Sequence, residues 1–249
     1  MSSRNHRSKR IGRRQAIEAL GAAGVVSLIG CGGGTASSTT TGTGTGSGSS
    51  SSSCVLTPEL TVGPYFVDEK LNRSDVTANT TDTNVLDGSP LNLTLSIMEY
   101  SSSGCSALQG AQVDIWQADA AGVYSDEAVE NTTGQTYLRG YQTTDSSGVV
   151  KFKTIFPGWY TGRTVHIHVM IRTFSSSRAV ASEFTTQLFF AQTLIDAITT
   201  SVSPYSSRGL PDTTNAQDNI YSSATQLTLQ TASSGGGYTG ALTIGVQTS

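Results

Sequence analysis

The sequence predicts an all-β domain, an antiparallel β-sandwich with one short helix, behind a signal peptide and a flexible linker. Three observations carry that expectation. Charged residues make up only 13% of the 249 residues, against roughly 25% in an average soluble domain; serine, threonine and glycine fill the difference, which disfavours simple helix bundles. Apolar residues in the body recur with a period of two rather than 3.6. Clusters of glycine and serine punctuate those runs as turns.

Composition divides the chain into residues 1–31, 32–53 and 54–249. The first 30 residues hold six of the fifteen basic residues and a single acid, Glu18. Their basic run ends in Gly12-Arg13-Arg14-Gln15-Ala16-Ile17, a twin-arginine pattern, and the apolar run from Ala19 to Ile29 follows. That run is short of the ~20 residues needed to span a bilayer and has the length of a signal h-region. It closes on Leu28-Ile29-Gly30-Cys31, which resembles a bacterial lipobox with Cys31 as the lipidated residue; a plain cleaved signal is the alternative. The expectation is export by a twin-arginine-type signal and a lipid anchor to the membrane through Cys31. Gly32 to Ser53 contains only Gly, Ser, Thr and Ala, a flexible tether with a root-mean-square span of roughly 25 Å.

Beyond residue 30 the chain carries nine basic and seventeen acidic residues, a net of −8. Such a body lacks the basic footprint of a nucleic-acid binder. Cys54 and Cys105 are the thiols left in it. In an exported protein they favour a disulfide, contributing roughly 4 kcal/mol on the chain-entropy model; two buried free thiols are the alternative.

Within the body, Leu91 to Ile97 alternates strictly, and Val113-Asp114-Ile115-Trp116-Gln117 continues the habit. Val150, Phe152 and Thr154 share one face of a strand whose other face carries Lys151 and Lys153. Asp145 to Gly148 reads as a turn, as does Ser233 to Gly237 between Leu227-Thr228-Leu229 and Ala241-Leu242-Thr243-Ile244. Only Gln192 to Thr199 reads as helix, over two turns.

The body's two histidines stand in Val165-His166-Ile167-His168-Val169. On a strand, Val165, Ile167, Val169 and Ile171 point one way and the histidines the other. Their Cα atoms then lie about 6.5–7 Å apart on one face, so the imidazoles can converge on one metal ion. A pair on a solvent face, or satisfied in the core, is the plain structural alternative.

Other stretches narrow the choice. Thr57-Pro58-Glu59-Leu60-Thr61-Val62-Gly63-Pro64-Tyr65, the Trp116–Tyr124 segment, Leu138-Arg139-Gly140, Thr154–Tyr160, Arg163-x-x-His166-x-His168 and Thr186-Gln187 form an ordered set. That set resembles the intradiol ring-cleavage dioxygenases (catechol and protocatechuate dioxygenases) from Thr57 to Gln192, and the resemblance weakens beyond Tyr221. It implies a non-haem iron(III) held by Tyr124, Tyr160, His166 and His168, with a catechol and O2 as partners and a cis,cis-muconic acid as product. Phenolate is a hard anionic donor that suits iron(III), and imidazole binds iron readily. The resemblance also implies that substrate displaces Tyr160 and that Arg163 stands over the substrate ring. Gln187 matches a residue behind the ligands, and Thr61, Gly63, Pro64 and Tyr65 match a pocket-lining segment; Arg139 reads as structural. The chain departs from the family at Thr164, where proline often follows the arginine, and in the short Tyr160–His166 loop, which implies an open pocket. The tether stands where relatives carry a helical dimerisation region, so the oligomeric state is left open. A reading of another class is a noncatalytic cell-surface β-sandwich that binds carbohydrate or aromatic polymer.

Overall fold

The structure, a computed structural model, describes residues 55–81, 85–233 and 235–248. The expected signal peptide, the linker, Cys31 and Cys54 lie outside the described residues. Cys105 is disulfide-bonded.

Among the described residues ten strands and one α-helix follow in order: β1 (Pro90–Ser101), β2 (Gly104–Ala107), β3 (Gln112–Trp116), β4 (Arg139–Thr143), β5 (Val149–Ile155), β6 (His166–Phe174), β7 (Val180–Phe190), α1 (Gln192–Ser201), β8 (Gln226–Leu227), β9 (Leu229–Thr231) and β10 (Tyr238–Val246). The first sheet runs β2-β1-β10-β9, with β5 also paired to β1; the second runs β4-β3-β6-β7-β8. The all-β sandwich is thus present, with one difference from a purely antiparallel one. β10 pairs with β1 in parallel, and β8 with β7 likewise. Parallel neighbours need long crossovers rather than hairpins. β1 and β10 are the first and last strands among the described residues, so the closing strand returns to lie beside the opening one. α1 runs two residues past the expected Thr199, where Ile195, Ile198 and Thr199 are buried.

Period-two patterning builds the core. Leu91, Leu93, Leu95 and Ile97 of β1 are fully buried and meet Val150 and Phe152 of β5. Val113, Ile115, Ile167, Val169, Ile171, Leu188 and Phe190 supply the opposing face from β3, β6 and β7. Each such aliphatic side chain contributes about 1.5–3 kcal/mol by leaving water.

The other face of the second sheet carries a second apolar cluster of Trp116, Ala118, Tyr124 and Met170, with Tyr65, Phe66 and Tyr160 packed against it. The segment before β1 runs over both sheets. Thr57 N–H bonds the Gly245 carbonyl at 2.9 Å, Leu60 N–H the Thr185 carbonyl at 2.8 Å, and Tyr141 N–H the Leu71 carbonyl at 2.8 Å.

Candidate metal centre

β6 sets the histidines by its register. His168 pairs across to Trp116 on one side and Gln187 on the other, and His166 pairs to Phe189. The apolar alternate residues Ile167, Val169 and Ile171 anchor the strand in the sandwich core. Both imidazoles are therefore driven to the opposite face, where they are nonetheless buried, at 2% and 1% exposure.

Two loops bring the tyrosines to the same place. The turn at Asp119–Val123 delivers Tyr124; the Asp119 carboxylate accepts Ala121 N–H at 2.8 Å and Val123 N–H at 2.9 Å. Gly122 adopts a φ of +80°, and a Cβ there would stand 2.0 Å from the Trp159 carbonyl oxygen. Only glycine allows this approach, and through it the turn before Tyr124 packs directly on the backbone before Tyr160. Behind Tyr124, the buried Arg139 guanidinium donates to the Ser125 carbonyl at 2.6 Å and to the Tyr65 carbonyl at 2.6 Å. Arg139 thereby fastens two segments of the site, in keeping with its expected structural part.

The four side chains converge. His166 Nδ1 lies 2.7 Å from the Thr164 carbonyl, which only accepts, so Nδ1 holds the proton and Nε2 presents a lone pair. That Nε2 sits 3.1 Å from His168 Nε2 and 3.2 Å from the Tyr160 hydroxyl. The Tyr160 ring lies edge-on to Tyr124 at 5.6 Å and to His166 at 5.6 Å. The Tyr124 hydroxyl is buried close to Tyr160 yet meets no partner at hydrogen-bond geometry. Trp116 stacks flat on His168 at 4.7 Å, and Tyr65 stacks on Tyr124 at 4.4 Å.

Burial governs the charge state. It pushes His166 down to about 3, with Arg163 adding to the effect, and drives His168 well below the ordinary range, with His166 adding. Both imidazoles are neutral donors at pH 7. Burial likewise raises Tyr124 well above its ordinary value, reinforced by Tyr160, and raises Tyr160 despite the nearby Arg163. A bound cation is what would make such phenols ionise at neutral pH. Among the described residues no group of three or more His, Cys, Asp or Glu side chains is placed to hold a metal ion. The donors that do gather are two phenols and two imidazoles, with the Tyr124 hydroxyl lacking a partner. A hard oxygen and imidazole set of this kind fits iron(III).

Arg163 lies at the edge of this group. Its Nε donates to Asp218 Oδ2 at 2.8 Å and its Nη2 to Gln187 Oε1 at 2.5 Å, while Gln187 Nε2 donates to the Thr61 carbonyl at 2.9 Å. Gln187 is fully buried beneath the arginine. Gly63, at a φ of +70°, brings its backbone to His168, where a Cβ would meet Cε1 at 3.2 Å. Thr61 and Pro64 beside it are exposed. Asp218 and Asn215 escaped the sequence reading. Asp218 also accepts Thr164 N–H at 2.9 Å, and Asn215 accepts the Thr164 hydroxyl at 2.6 Å. Burial pushes Asp218 up, but bonds from Ile220, Thr164 and Arg163 outweigh it and hold the carboxyl below its ordinary range. No local pattern marks either residue; their part comes from tertiary contact alone.

The fold is that of a ring-cleaving oxidoreductase, as the known proteins that it resembles show. A family described as Dioxygenase matches residues 61–219. An intradiol ring-cleavage dioxygenase from Tetranychus urticae is 29% identical, with a TM-score of 0.67 over 78% of this chain and 95% of that one. The dioxygenase domain of a dioxygenase carbohydrate-binding protein fusion from Streptomyces sp. SirexAA-E is 28% identical, with a TM-score of 0.54 over 78% of this chain and 100% of that one. A 3-chlorocatechol 1,2-dioxygenase from Rhodococcus opacus 1CP, at 20% identity, shares the fold with a TM-score of 0.55 over 78% of this chain and 73% of that one. No curated protein matches the chain. The chain belongs to the intradiol ring-cleavage dioxygenase family.

Proposed function

We propose that this protein opens catechol-type rings with O2 between the two hydroxyl-bearing carbons, giving cis,cis-muconic acids, at an iron(III) held by Tyr124, Tyr160, His166 and His168. The observation that carries the reading is the convergence of two phenols and two neutral imidazoles on one buried sheet face, with His166 Nε2 within 3.2 Å of both His168 Nε2 and the Tyr160 hydroxyl. When bound there, iron(III) would supply Lewis-acid chemistry that makes a catecholate ring reactive toward dioxygen.

The remaining tasks fall to side chains of this chain. Thr164, through its carbonyl, keeps the His166 proton on Nδ1 and leaves Nε2 free as a donor. Trp116, stacked on His168, excludes water from that ring. Tyr160 is partly exposed whereas Tyr124 and both histidines are buried. Of the four side chains Tyr160 is therefore the one an entering catechol can reach, and once ionised on the metal its phenolate would be placed to take a catechol proton. Arg163 keeps its charge at the edge of the site through Asp218 and Gln187, where it stabilises negative charge that develops on the ring carbon under attack. Gly63 and Tyr65 supply the wall beside His168 and Tyr124.

The leader supports a place outside the cytoplasm for this chemistry: a twin-arginine pattern, an apolar run, a lipobox-like Cys31 and then a tether. Oxygen uptake by iron-loaded protein against a panel of catechols, with the product identified by NMR, tests the activity. Uptake with formation of a muconic acid is expected. No uptake with any catechol would overturn the reading.

A further inference from the structure

Asp218 lies outside the four donors, yet its position links two parts of the site. Its side chain is only 2% exposed, and Oδ2 receives both Arg163 Nε at 2.8 Å and Thr164 N–H at 2.9 Å. Oδ1 accepts Ile220 N–H at 2.8 Å, which locks the carboxylate into its own loop. Thr164 is the residue whose carbonyl holds the proton of His166 Nδ1. A proline at that position would have no N–H to give. The threonine of this chain therefore provides a bond that a proline-bearing site cannot make.

We propose that Asp218 is the positioning residue of this site, holding the Arg163 guanidinium and the Arg163–Thr164 turn with one carboxylate oxygen. The proposal rests on the enzymatic reading above. With Nε bound to Asp218 and Nη2 to Gln187, the guanidinium plane is fixed by two bonds from different elements, the 212–221 loop and β7. The same guanidinium also reaches the Tyr160 hydroxyl, so its charge is delivered beside a residue of the proposed centre. A fork held in this way delivers its charge in one orientation, which an ammonium group cannot reproduce.

The test uses full-length iron-loaded protein and four variants: Asp218→Asn, Arg163→Ala, Arg163→Lys and the double Arg163→Ala/Asp218→Asn. Turnover and KM for a catechol that the parent cleaves are measured with iron content, visible absorption and Tm. Asp218→Asn is expected to keep iron and its absorption band, to lose about 10- to 100-fold in kcat, and to change KM only a few-fold. Coupling of that size is ordinary for side chains in one network. In the Arg163→Ala background the same change should cost less than about twofold, because Asp218 acts through the arginine. Equal losses in both backgrounds would show a merely structural carboxylate and overturn the proposal. Arg163→Lys decides the matter should Asp218→Asn fail to fold, since it leaves the bonds from Thr164 and Ile220 in place. Loss close to that of Arg163→Ala supports the fixed fork, and turnover near the parent rate refutes it. A parent inert to every catechol overturns the enzymatic reading itself; an active parent with equal losses overturns only the part given to Asp218.

Discussion

Tyr160 differs from the other three donors in burial, and that difference predicts a difference in role. His168 is 1% exposed with Trp116 flat against it, whereas Tyr160 is partly open. Replacing a buried donor leaves a gap that neither solvent nor substrate fills. Tyr160→Phe is therefore expected to retain iron better than His168→Ala while slowing turnover. Iron content and kcat on both variants check this; equal and complete iron loss in the two would contradict the division of roles. Arg163 makes a second test at this scale. Losing a preorganised charge donor typically costs on the order of 10²–10³ in turnover, while in the proposed site catechol affinity would rest mainly on the metal. Arg163→Ala should thus lower the single-turnover rate far more than the anaerobic binding constant. Loss of affinity alone, at the parent rate, would make the arginine a binding residue instead.

At the scale of elements, the site depends on two loops being pressed together over β6. Gly122 makes that contact possible, so Gly122→Ala forces a methyl group into the Trp159 carbonyl in a conformation that disfavours side chains. Strain of this kind costs about 1–3 kcal/mol, a fall in Tm of several degrees for a domain of this size. The larger effect is expected on iron content, since the displaced loop carries Tyr124. Normal iron loading in Gly122→Ala would show that the Tyr124 loop is not set by this approach. The same elements divide what was legible in the sequence from what was not. β1 and β6 were legible because Leu91 to Ile97 alternates strictly and Val165, Ile167, Val169 and Ile171 share one face against His166 and His168, and that period assigns each side chain to a face. The parallel pairing of β10 with β1 was not, because strand partners far apart in sequence leave no local trace. Tyr124 and Tyr160 stood out among nine tyrosines only through their motifs, since residue type gives no sign of a shared centre. Asp218 left no signal at all: one acid in a polar loop acquires its role when the chain brings it to Arg163.

For the whole molecule, the sandwich keeps its packing core and the candidate metal centre on opposite faces of one sheet. Ile167 and Val169 anchor β6 inward while His166 and His168 face the second cluster. Substitution of a donor therefore leaves the main core intact, and variants at the centre should fold. This separation leaves the proposed iron(III) centre of two phenols and two imidazoles open to a spectroscopic test. The measurement is the visible absorption spectrum of purified protein, with metal analysis on the same sample. Tyrosinate coordinated to iron(III) predicts red-brown protein, about one iron per chain, and a band that weakens in Tyr124→Phe and Tyr160→Phe. Stoichiometric zinc in active protein with no visible band would contradict it.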